Sequence, residues 1–421
     1  RIFYGWYVVG AMFFMGLIGV APRQALGLFF EIWSEEFSVS VSLLSAVAAA
    51  GWFVNGISQP IFGGLTDRYG GRIVMFTSMI AVGIGTFMIG VTVNIWTLAF
   101  VYIPVISFAM SGILFVPGTA LLARWFRRKR GTAISVFSSG TSIGGMLLIP
   151  FMAYLFVLVD WRATWMVVGG AMLFLAAPLI WMVLRNDPRD MGLLADGDSE
   201  PLTLSSVGRP AVEGRGPLAV DAWKEAYRTS PMWQLTVTYV VCGITTASIS
   251  IHFVPYAVSE GISVSTAALA FGLLSLINLI GVLATGVMSD RMLRKNMLTF
   301  IYAVRALAFL ALVLLPPDIG LWAFAVIGGA SWLSSVPQTG ALTAEIYGIP
   351  RAGTLNGMLS LVHQIGGAVA VFGAGLIFDV FGSYTLFFII GAATLGLASL
   401  TSWMVQEKQC SVRFVQITES G

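Results

Sequence analysis

Four ionisable side chains lie inside long apolar stretches of the sequence, and they are the first candidates for chemistry. They are Arg23, His252, Arg305 and His363. An ionisable group at membrane depth is unfavourable unless it faces a cavity or a partner, so each one predicts a functional site or a buried interaction. Histidine can also take up a proton near neutral pH, which makes His252 and His363 candidates for proton coupling.

Arg23 is the most informative of the four, because no acidic residue is predicted close to it. The 20 acidic residues fall in loops, helix ends or tails, and even Glu31 lies roughly 12 Å from Arg23 along a helix. A fixed cation without a counter-ion is strongly disfavoured in a dry cavity. A bound anion would supply the missing charge, and a guanidinium binds a carboxylate through two parallel hydrogen bonds. Arg23 therefore predicts a carboxylate-binding site.

Structural roles remain open for all four residues. Arg23 could bind carbonyl groups freed by a kink at Pro22, or it could extend toward the membrane surface. Arg305 is expected in a peripheral helix, where a structural role is favoured over a functional one. Either histidine could be a core residue that is hydrogen-bonded to a nearby hydroxyl group.

Uncharged polar and aromatic side chains of neighbouring helices are expected to complete the site. Asn278 and a tyrosine or serine would orient the carboxylate, while His363 or His252 would respond to the coupled proton. The candidate substrate-binding residues are Arg23, Tyr102, Phe115, Ser139, Asn278, Trp332, Gln338 and His363, with Ser138, Tyr239 and Ser335 as further possibilities and Asn55 and Gln59 nearer the gates. Serine and aromatic residues also serve simply as packing between membrane helices.

The elements that carry these residues are predicted to be membrane-spanning helices. Hydrophobic residues make up 57% of the 421 residues and charged residues only 10%, a balance that requires lipid as the environment. The apolar stretches can each cross a hydrocarbon core of roughly 30 Å, and even the first is too long for a secretory signal peptide. We predict an all-α membrane protein with twelve spans, at 4–33, 41–65, 73–93, 96–123, 131–158, 162–184, 231–258, 264–289, 297–315, 319–346, 353–378 and 384–405.

The twelve spans divide into two sets of six around a polar stretch. We predict an N-terminal six-helix bundle at 1–184, a cytoplasmic linker at 185–230, a C-terminal bundle at 231–405 and a cytoplasmic tail at 406–421. Most of the 23 lysine and arginine residues fall on one side if both termini are cytoplasmic, which is the orientation that the positive-inside rule favours.

The two halves also resemble one another in sequence. Gly131-Thr132 recurs as Gly353-Thr354, and Pro117-x-Thr119 recurs as Pro337-x-Thr339. Repeated segments at a nearly constant separation indicate one six-helix unit used twice. Two such halves can rock about a central site to give alternating access.

A glycine-rich and charged segment lies between the second and third spans. Its sequence is Gly63-Gly64-Leu65-Thr66-Asp67-Arg68-Tyr69-Gly70-Gly71-Arg72. It resembles the cytoplasmic signature of the major facilitator superfamily, and a weaker copy contains Asp290-Arg291. The glycines allow close approach of two helices, and Asp67 can accept hydrogen bonds at a helix N-terminus in the other half. The resemblance implies that Asp67, Arg68, Arg72, Asp290 and Arg291 form a conformational latch.

A second resemblance points to a branch of that superfamily. The segment before and within the fifth span is similar to the fifth-helix signature of monocarboxylate porters, a branch that includes oxalate/formate exchangers. It reads Trp125-Phe126-Arg127-Arg128-Lys129-Arg130, followed by Ala133, Gly140 and Gly144. Tyr4-Gly5-Trp6 keeps part of the entry motif. The eighth span departs from the branch, because Asn278 and Val282 stand where an acid or amide and a substrate-binding arginine are usual. Another residue must take that role, or the substrate differs.

Together these features predict a secondary transporter of small organic anions, with monocarboxylates such as lactate or pyruvate first among them, driven by proton symport or anion exchange. The alternatives are an exporter of drugs or amphipathic metabolites, an importer of a larger anion such as an aromatic acid or a siderophore, and a membrane receptor. We expect no catalytic residues, metal, cofactor or nucleic acid. The resemblance further implies a monomer in a bacterial inner membrane.

Overall fold

The computed structural model describes residues 2–39, 41–197 and 216–414, and their regular structure is helical. Much of the predicted linker, from 198 to 215, lies outside the described residues, as does the end of the predicted tail. Eleven helical segments in the described part are long and apolar enough to cross a membrane, and one further long helix, Val41–Tyr69, corresponds to the predicted second span. The predicted all-α membrane fold is confirmed.

We number the membrane-length segments α1 to α12 in chain order. They are α1 Gly5–Gln24, α2 Val41–Tyr69, α3 Gly71–Ile89, α4 Ile95–Trp125, α5 Arg130–Leu158, α6 Trp161–Val183, α7 Ser230–Ser259, α8 Val264–Arg291, α9 Arg294–Leu314, α10 Pro317–Tyr347, α11 Ala352–Phe381 and α12 Thr385–Trp403.

The chain forms two compact units. The first comprises the described residues of Arg1–Gly214 together with Ala352–Met358, and so contains α1 to α6 and the beginning of α11. The second comprises the described residues of Arg215–Arg351 and Leu359–Gly421, and so contains α7 to α10, most of α11 and α12.

α1 is interrupted where the sequence predicts one continuous helix to residue 33. The helix Gly5–Gly19 ends at Val20 and a second turn, Ala21–Gln24, begins with Pro22 in its first turn, where proline's missing N–H would have no helical partner in any case. A 3₁₀ turn, Leu26–Phe29, and a short helix, Phe30–Glu36, follow. The interruption places Arg23 in the last turn of α1.

α4 and α10 are broken at corresponding places of the sequence repeat. α4 is non-helical at 111–114 and restarts at Phe115, and α10 is non-helical at 332–334 and restarts at Ser335. The repeated prolines, Pro117 and Pro337, lie two residues after each restart. A proline ring clashes with the carbonyl four residues before it, and in both helices that carbonyl, of Ile113 and of Leu333, belongs to the non-helical segment, so each proline is compatible with the break.

α4 contains a second irregularity, a π-helical segment at Val101–Ser107 with Pro104 inside it. Segments of this kind widen the helix and leave backbone groups without their usual partners, and they are frequent at functional sites. Tyr102 and Ser107 lie in this segment.

Candidate functional site

A small cavity in the first unit lies among α1, α2 and α4. Its lining residues are Arg23, Gly51, Trp52, Asn55, Tyr102, Ser107 and Met110. The cavity thus contains one fixed positive charge, three uncharged polar side chains and an aromatic and thioether surface. It brings together two predicted substrate-binding residues, Arg23 and Tyr102, and the predicted gate residue Asn55.

Arg23 stacks on the face of an indole ring. Its guanidinium carbon lies 3.3 Å from the centroid of the Trp52 ring, a cation–π contact that stabilises the charge without neutralising it. In the described part of the chain, Arg23 forms no ion pair and its guanidinium donates no hydrogen bond. Stacking uses the face of the guanidinium and leaves the N–H groups at its edge available for a planar anion.

The wall opposite Arg23 depends on a glycine in α2. A Cβ atom at Gly51 would lie 2.5 Å from Tyr102 Cε1 and 2.6 Å from Ser107 Oγ, so any larger residue would push these side chains aside. Tyr102 is 2% exposed, and its hydroxyl group is hydrogen-bonded with Ser107. Gly51 therefore permits the close approach of α2 and α4 that places Tyr102 beside the cavity.

Asn55 holds the irregular part of α4. Its Nδ2 donates to the Ser107 carbonyl at 3.0 Å and to Ser111 Oγ at 2.8 Å, and Ser111 Oγ donates to the Asn55 carbonyl at 3.0 Å. These bonds satisfy a carbonyl of the π-helical segment and the first residue of the break. Asn55 therefore positions the backbone around Tyr102 from inside the membrane.

In the second unit, Asn278 binds the backbone at the break of α10, as Asn55 binds Ser111 at the break of α4. Its Oδ1 accepts a hydrogen bond from the Leu333 N–H at 3.0 Å, within the break of α10. The neighbouring Trp332 donates from Nε1 to the Thr246 carbonyl at 3.4 Å, and its ring meets Phe271 edge-on. The structure thus brings the predicted residues Asn278 and Trp332 together at a helix break.

The two histidines have different surroundings within the second unit. His363 is half-buried, lies 3.4 Å from Thr246 Oγ1 through Nε2, and packs against Tyr239 with the ring centroids 4.9 Å apart. His252 has a partner at each ring nitrogen, Tyr384 Oη at 3.3 Å and the Val371 carbonyl at 2.9 Å. Two protein partners are typical of a histidine that joins helices.

Three other predicted residues lie outside the set that lines the cavity. Ser139 donates to the Val136 carbonyl of its own helix at 2.7 Å. Gln338 is fully buried, and its Oε1 accepts from Arg294 at 3.4 Å. Phe115 begins the second half of α4.

Arg305 is buried rather than lipid-facing. It is 1% exposed, and its guanidinium donates to Thr245 Oγ1 at 3.3 Å, to Ser335 Oγ at 3.3 Å and to the Ser331 carbonyl. A fourth contact joins Nη1 to Cys242 Sγ at 3.6 Å. The sequence predicted neither this cluster nor the stacking of Arg23 on Trp52, although Trp52 and Asn55, three residues apart, share one face of a helix.

The predicted latch residues lie at the ends of helices. Asp67 accepts hydrogen bonds from the backbone N–H groups of Gly353 at 2.9 Å and Thr354 at 2.8 Å, and from the Thr354 hydroxyl at 2.5 Å. All of these residues belong to the first unit. A carboxylate at the N-terminus of α11 satisfies orphan donors and complements the helix dipole.

In the second unit, the predicted latch residue Asp290 belongs to a cluster of ion pairs. Arg294 is fully buried and pairs with Asp290 and Glu345 at 2.9 Å each. In the first unit, Arg72 donates to the Trp181 backbone carbonyl at 2.6 Å, and its guanidinium stacks on the indole ring of the same tryptophan. Arg68 and Arg291 are exposed.

Among residues 2–39, 41–197 and 216–414, no group of three histidine, cysteine or acidic side chains could hold a metal ion.

Comparison with known sequences gives one family. The sequence model of the Major Facilitator Superfamily matches residues 12–370. YcxA of Bacillus subtilis, described as an uncharacterized MFS-type transporter, is 23% identical over 404 residues, covering 94% of this chain and 93% of that protein. Monocarboxylate transporter 12 of Rattus norvegicus is 22% identical, covering 92% of this chain and 82% of that protein. The membrane sensor protein UhpC of Escherichia coli is 25% identical, covering 86% and 83%.

Comparison with solved structures gives the same fold. The fucose:proton symporter FucP of E. coli superposes with a TM-score of 0.71 at 14% identity, covering 94% of this chain and 97% of that one. The human organic anion transporter MFSD10 superposes with a TM-score of 0.68 at 14% identity, covering 94% and 99%.

Proposed function

Because this chain belongs to the Major Facilitator Superfamily, we propose that it is a secondary transporter of small organic anions that works by alternating access of its two halves. Monocarboxylates of the lactate and pyruvate type are the expected substrates. Transport is coupled to protons or to exchange with a second anion.

One observation carries this proposal, the state of Arg23. The guanidinium lines a cavity, stacks on Trp52 and has no carboxylate partner in the described part of the chain. A cation in such a place raises the affinity for anions, and the planar N–H edge matches a carboxylate better than it matches a spherical ion. The same side chain would otherwise remain an uncompensated charge.

The residues around Arg23 suit a small acid with a short apolar tail. Tyr102 supplies a hydroxyl group beside the cavity, while Trp52 and Met110 supply apolar surface. Asn55 and Asn278 contribute by holding the helix breaks in α4 and α10. His363 and His252 are both half-buried, but His252 has a protein partner at each ring nitrogen, so His363 is the better of the two histidines for coupling.

The comparisons support an anion as substrate. Monocarboxylate transporters 12 and 13 are among the relatives, and the human organic anion transporter MFSD10 has a similar fold. Both descriptions agree with the fixed cation in the cavity.

Uptake of labelled lactate, pyruvate and oxalate into proteoliposomes, with and without an imposed pH gradient, tests the proposal. The native chain should show saturable uptake, Arg23→Gln should lose it, and the matched variant Arg23→Lys should retain a fraction, because an ammonium keeps the charge but loses the paired N–H geometry. A dependence on the pH gradient separates symport from exchange. Native uptake that Arg23→Gln leaves unchanged would refute an anion site at this residue.

Transport of a different substrate gives a different pattern. An exporter of drugs or amphipathic metabolites should tolerate Arg23→Gln, and hydrophobic compounds should compete with its substrate. An importer of a larger anion, such as an aromatic acid or a siderophore, should keep its dependence on Arg23 while ignoring lactate, pyruvate and oxalate.

A sensor is the second candidate function, because UhpC, which is described as a membrane sensor protein, is among the relatives. A sensor would bind the anion at Arg23 without moving it. Binding to the purified chain without uptake into proteoliposomes would favour this candidate.

A further inference from the structure

Arg305 is a second intramembrane cation without a carboxylate partner among the described residues. It lies on α9 in the second unit and is 1% exposed, so water does not compensate its charge. Its hydrogen-bond partners are neutral hydroxyl and carbonyl oxygens, Thr245 Oγ1, Ser335 Oγ and the Ser331 carbonyl. Its Nε has no partner among the described residues.

Comparison with Arg294 shows what Arg305 lacks. Arg294 lies on the same helix and is fully buried, and it pairs with both Asp290 and Glu345. A buried charge normally requires an opposite charge of this kind, because its own desolvation is so unfavourable. An ionisable group beside Arg305 that becomes negative would supply the missing counter-charge.

The ionisable groups near Arg305 come from three of the helices that pack around it. α7 contributes Cys242, at 3.6 Å from Nη1, and Tyr239, α9 contributes Tyr302, and α11 contributes His363. α10 contributes the neutral Ser331 and Ser335. Of these groups only the thiol and the phenols can become negative, and an ordinary thiol ionises at about pH 8.5 whereas a phenol ionises at about pH 10.

Cys242 is held in a fixed position toward Arg305. Its Sγ lies 3.1 Å from Ser335 Oγ, and Ser335 also accepts a hydrogen bond from Arg305. Thr246 links Cys242 to His363, because its hydroxyl donates to the Cys242 carbonyl at 2.7 Å and lies 3.4 Å from His363 Nε2. Cys242 and Arg305 are buried, whereas His363 is half-buried and so is the most accessible of the three residues.

We propose that Cys242, Arg305 and His363 form a proton-exchange site, in which the Cys242 thiol releases and takes back a proton opposite the fixed charge of Arg305. On release the S–H bond breaks, the proton passes to the imidazole of His363 and then to water, and the electron pair stays on the sulfur beside the guanidinium. Uptake is the reverse. The proposal deepens the proposed function, because it assigns the coupled proton to a thiol, and to that extent it rests on that function.

Infrared spectroscopy of the S–H stretching band tests the site without any transport. The chain has two cysteines, so Cys410→Ser leaves Cys242 as the single thiol. In that background the band should weaken as the medium is taken from about pH 6 to about pH 9. Arg305→Lys should behave similarly, whereas Arg305→Gln should keep the band, with a ratio of thiol to thiolate about tenfold higher or more, because an opposite charge at this distance is lost.

Two infrared results would overturn the proposal. One is an S–H band that stays constant across that pH range in the Cys410→Ser chain. This measurement needs no substitution at Arg305, so it does not depend on whether the Arg305 variants fold. The other is an equal response in Arg305→Gln and Arg305→Lys, with both eluting as monodisperse protein.

Transport of Cys242→Ser provides the second arm. Exchange of internal for external anion should persist, because Arg23 is intact, while stimulation by a pH gradient should disappear. Stimulation equal to that of the native chain would contradict the assignment of the proton to Cys242. If the native chain moves none of the three anions, the proposed function fails, and the infrared result alone decides whether the proton-exchange site exists.

Discussion

At the scale of single residues, the molecule treats three arginines inside or beside the membrane in three ways. Arg294 is neutralised by two carboxylates, Arg305 is hydrogen-bonded by neutral polar groups and contacts a thiol, and Arg23 stacks on Trp52 at the edge of a cavity. The charge that lacks a protein partner and faces open space is the one suited to a mobile anion. This contrast is the basis of our assignment of Arg23 to substrate binding.

We expect Trp52 to set the affinity of that site. Trp52→Leu removes the aromatic face and should weaken anion binding by roughly threefold to thirtyfold, the range of a cation–π contact that is partly desolvated. Trp52→Phe keeps an aromatic face and should lose less. The concentration of half-maximal uptake measures both, and equal values for leucine and phenylalanine would show that the ring face does not matter.

The sequence predicted the chemistry of Arg23 and Tyr102 but not their setting. The absence of acidic residues near Arg23 can be read from the order of residues. The contact with Trp52 cannot, because it depends on how α2 lies against the last turn of α1. For the same reason the sequence could not predict that Arg305 is buried beside Cys242.

At the scale of elements, the breaks in α4 and α10 organise the interior of each unit. Asn55 and Asn278 occupy matching places in the repeat, and each binds backbone groups at or beside a break. Hydropathy predicted the length of these helices well. It could not predict the breaks, because Pro60 and Pro255 lie within helices that continue unbroken, and the breaks also depend on partners that only the folded chain supplies.

We expect Asn55→Ala and Asn278→Ala to destabilise the protein. Each leaves a buried backbone group without its side-chain partner, which costs about 1–3 kcal/mol. Thermal unfolding of the purified chains measures the effect. Ser139→Ala is the matched control, because that hydroxyl binds a carbonyl of its own helix, and it should change stability little. Asparagine variants as stable as this control would refute the role of the two amides.

Gly51→Ala should damage the site through the backbone. The added Cβ would meet Tyr102 and Ser107 at under 3 Å, so Tyr102 must move and the cavity must change shape. We expect a weaker apparent affinity for the anion with Arg23 intact. Gly170→Ala is the control, since a Cβ there meets no atom within 4 Å. An affinity for Gly51→Ala equal to that of the control would contradict the close contact.

At the scale of the whole molecule, the second helix of each unit has an aspartate of the repeated motif near its end, but the two aspartates have different partners. Asp67 at the end of α2 binds the first backbone N–H groups of α11, a helix that begins in the first unit and continues into the second. Asp290 at the end of α8 pairs with Arg294 instead. The sequence repeat predicted two copies of one motif, and the structure gives the two aspartates different partners, a helix N-terminus for Asp67 and an arginine side chain for Asp290.

Asp67→Asn should therefore affect turnover more than binding. An amide keeps one acceptor oxygen and loses the charge that complements the helix N-terminus, so the contact with Gly353 and Thr354 weakens. We expect a lower maximal uptake rate with an unchanged affinity in equilibrium binding. A loss of affinity with an unchanged maximal rate would contradict a latch at this position.

Equilibrium binding of labelled lactate, pyruvate and oxalate to the purified chain tests the central claim most directly. Our account predicts that at least one of them binds the native chain, and that Arg23→Gln weakens binding by about tenfold to a hundredfold, as expected for lost hydrogen bonds to a charged group. Arg228→Gln, which removes an exposed arginine, should bind like the native chain. Equal binding by Arg23→Gln and Arg228→Gln would contradict the account.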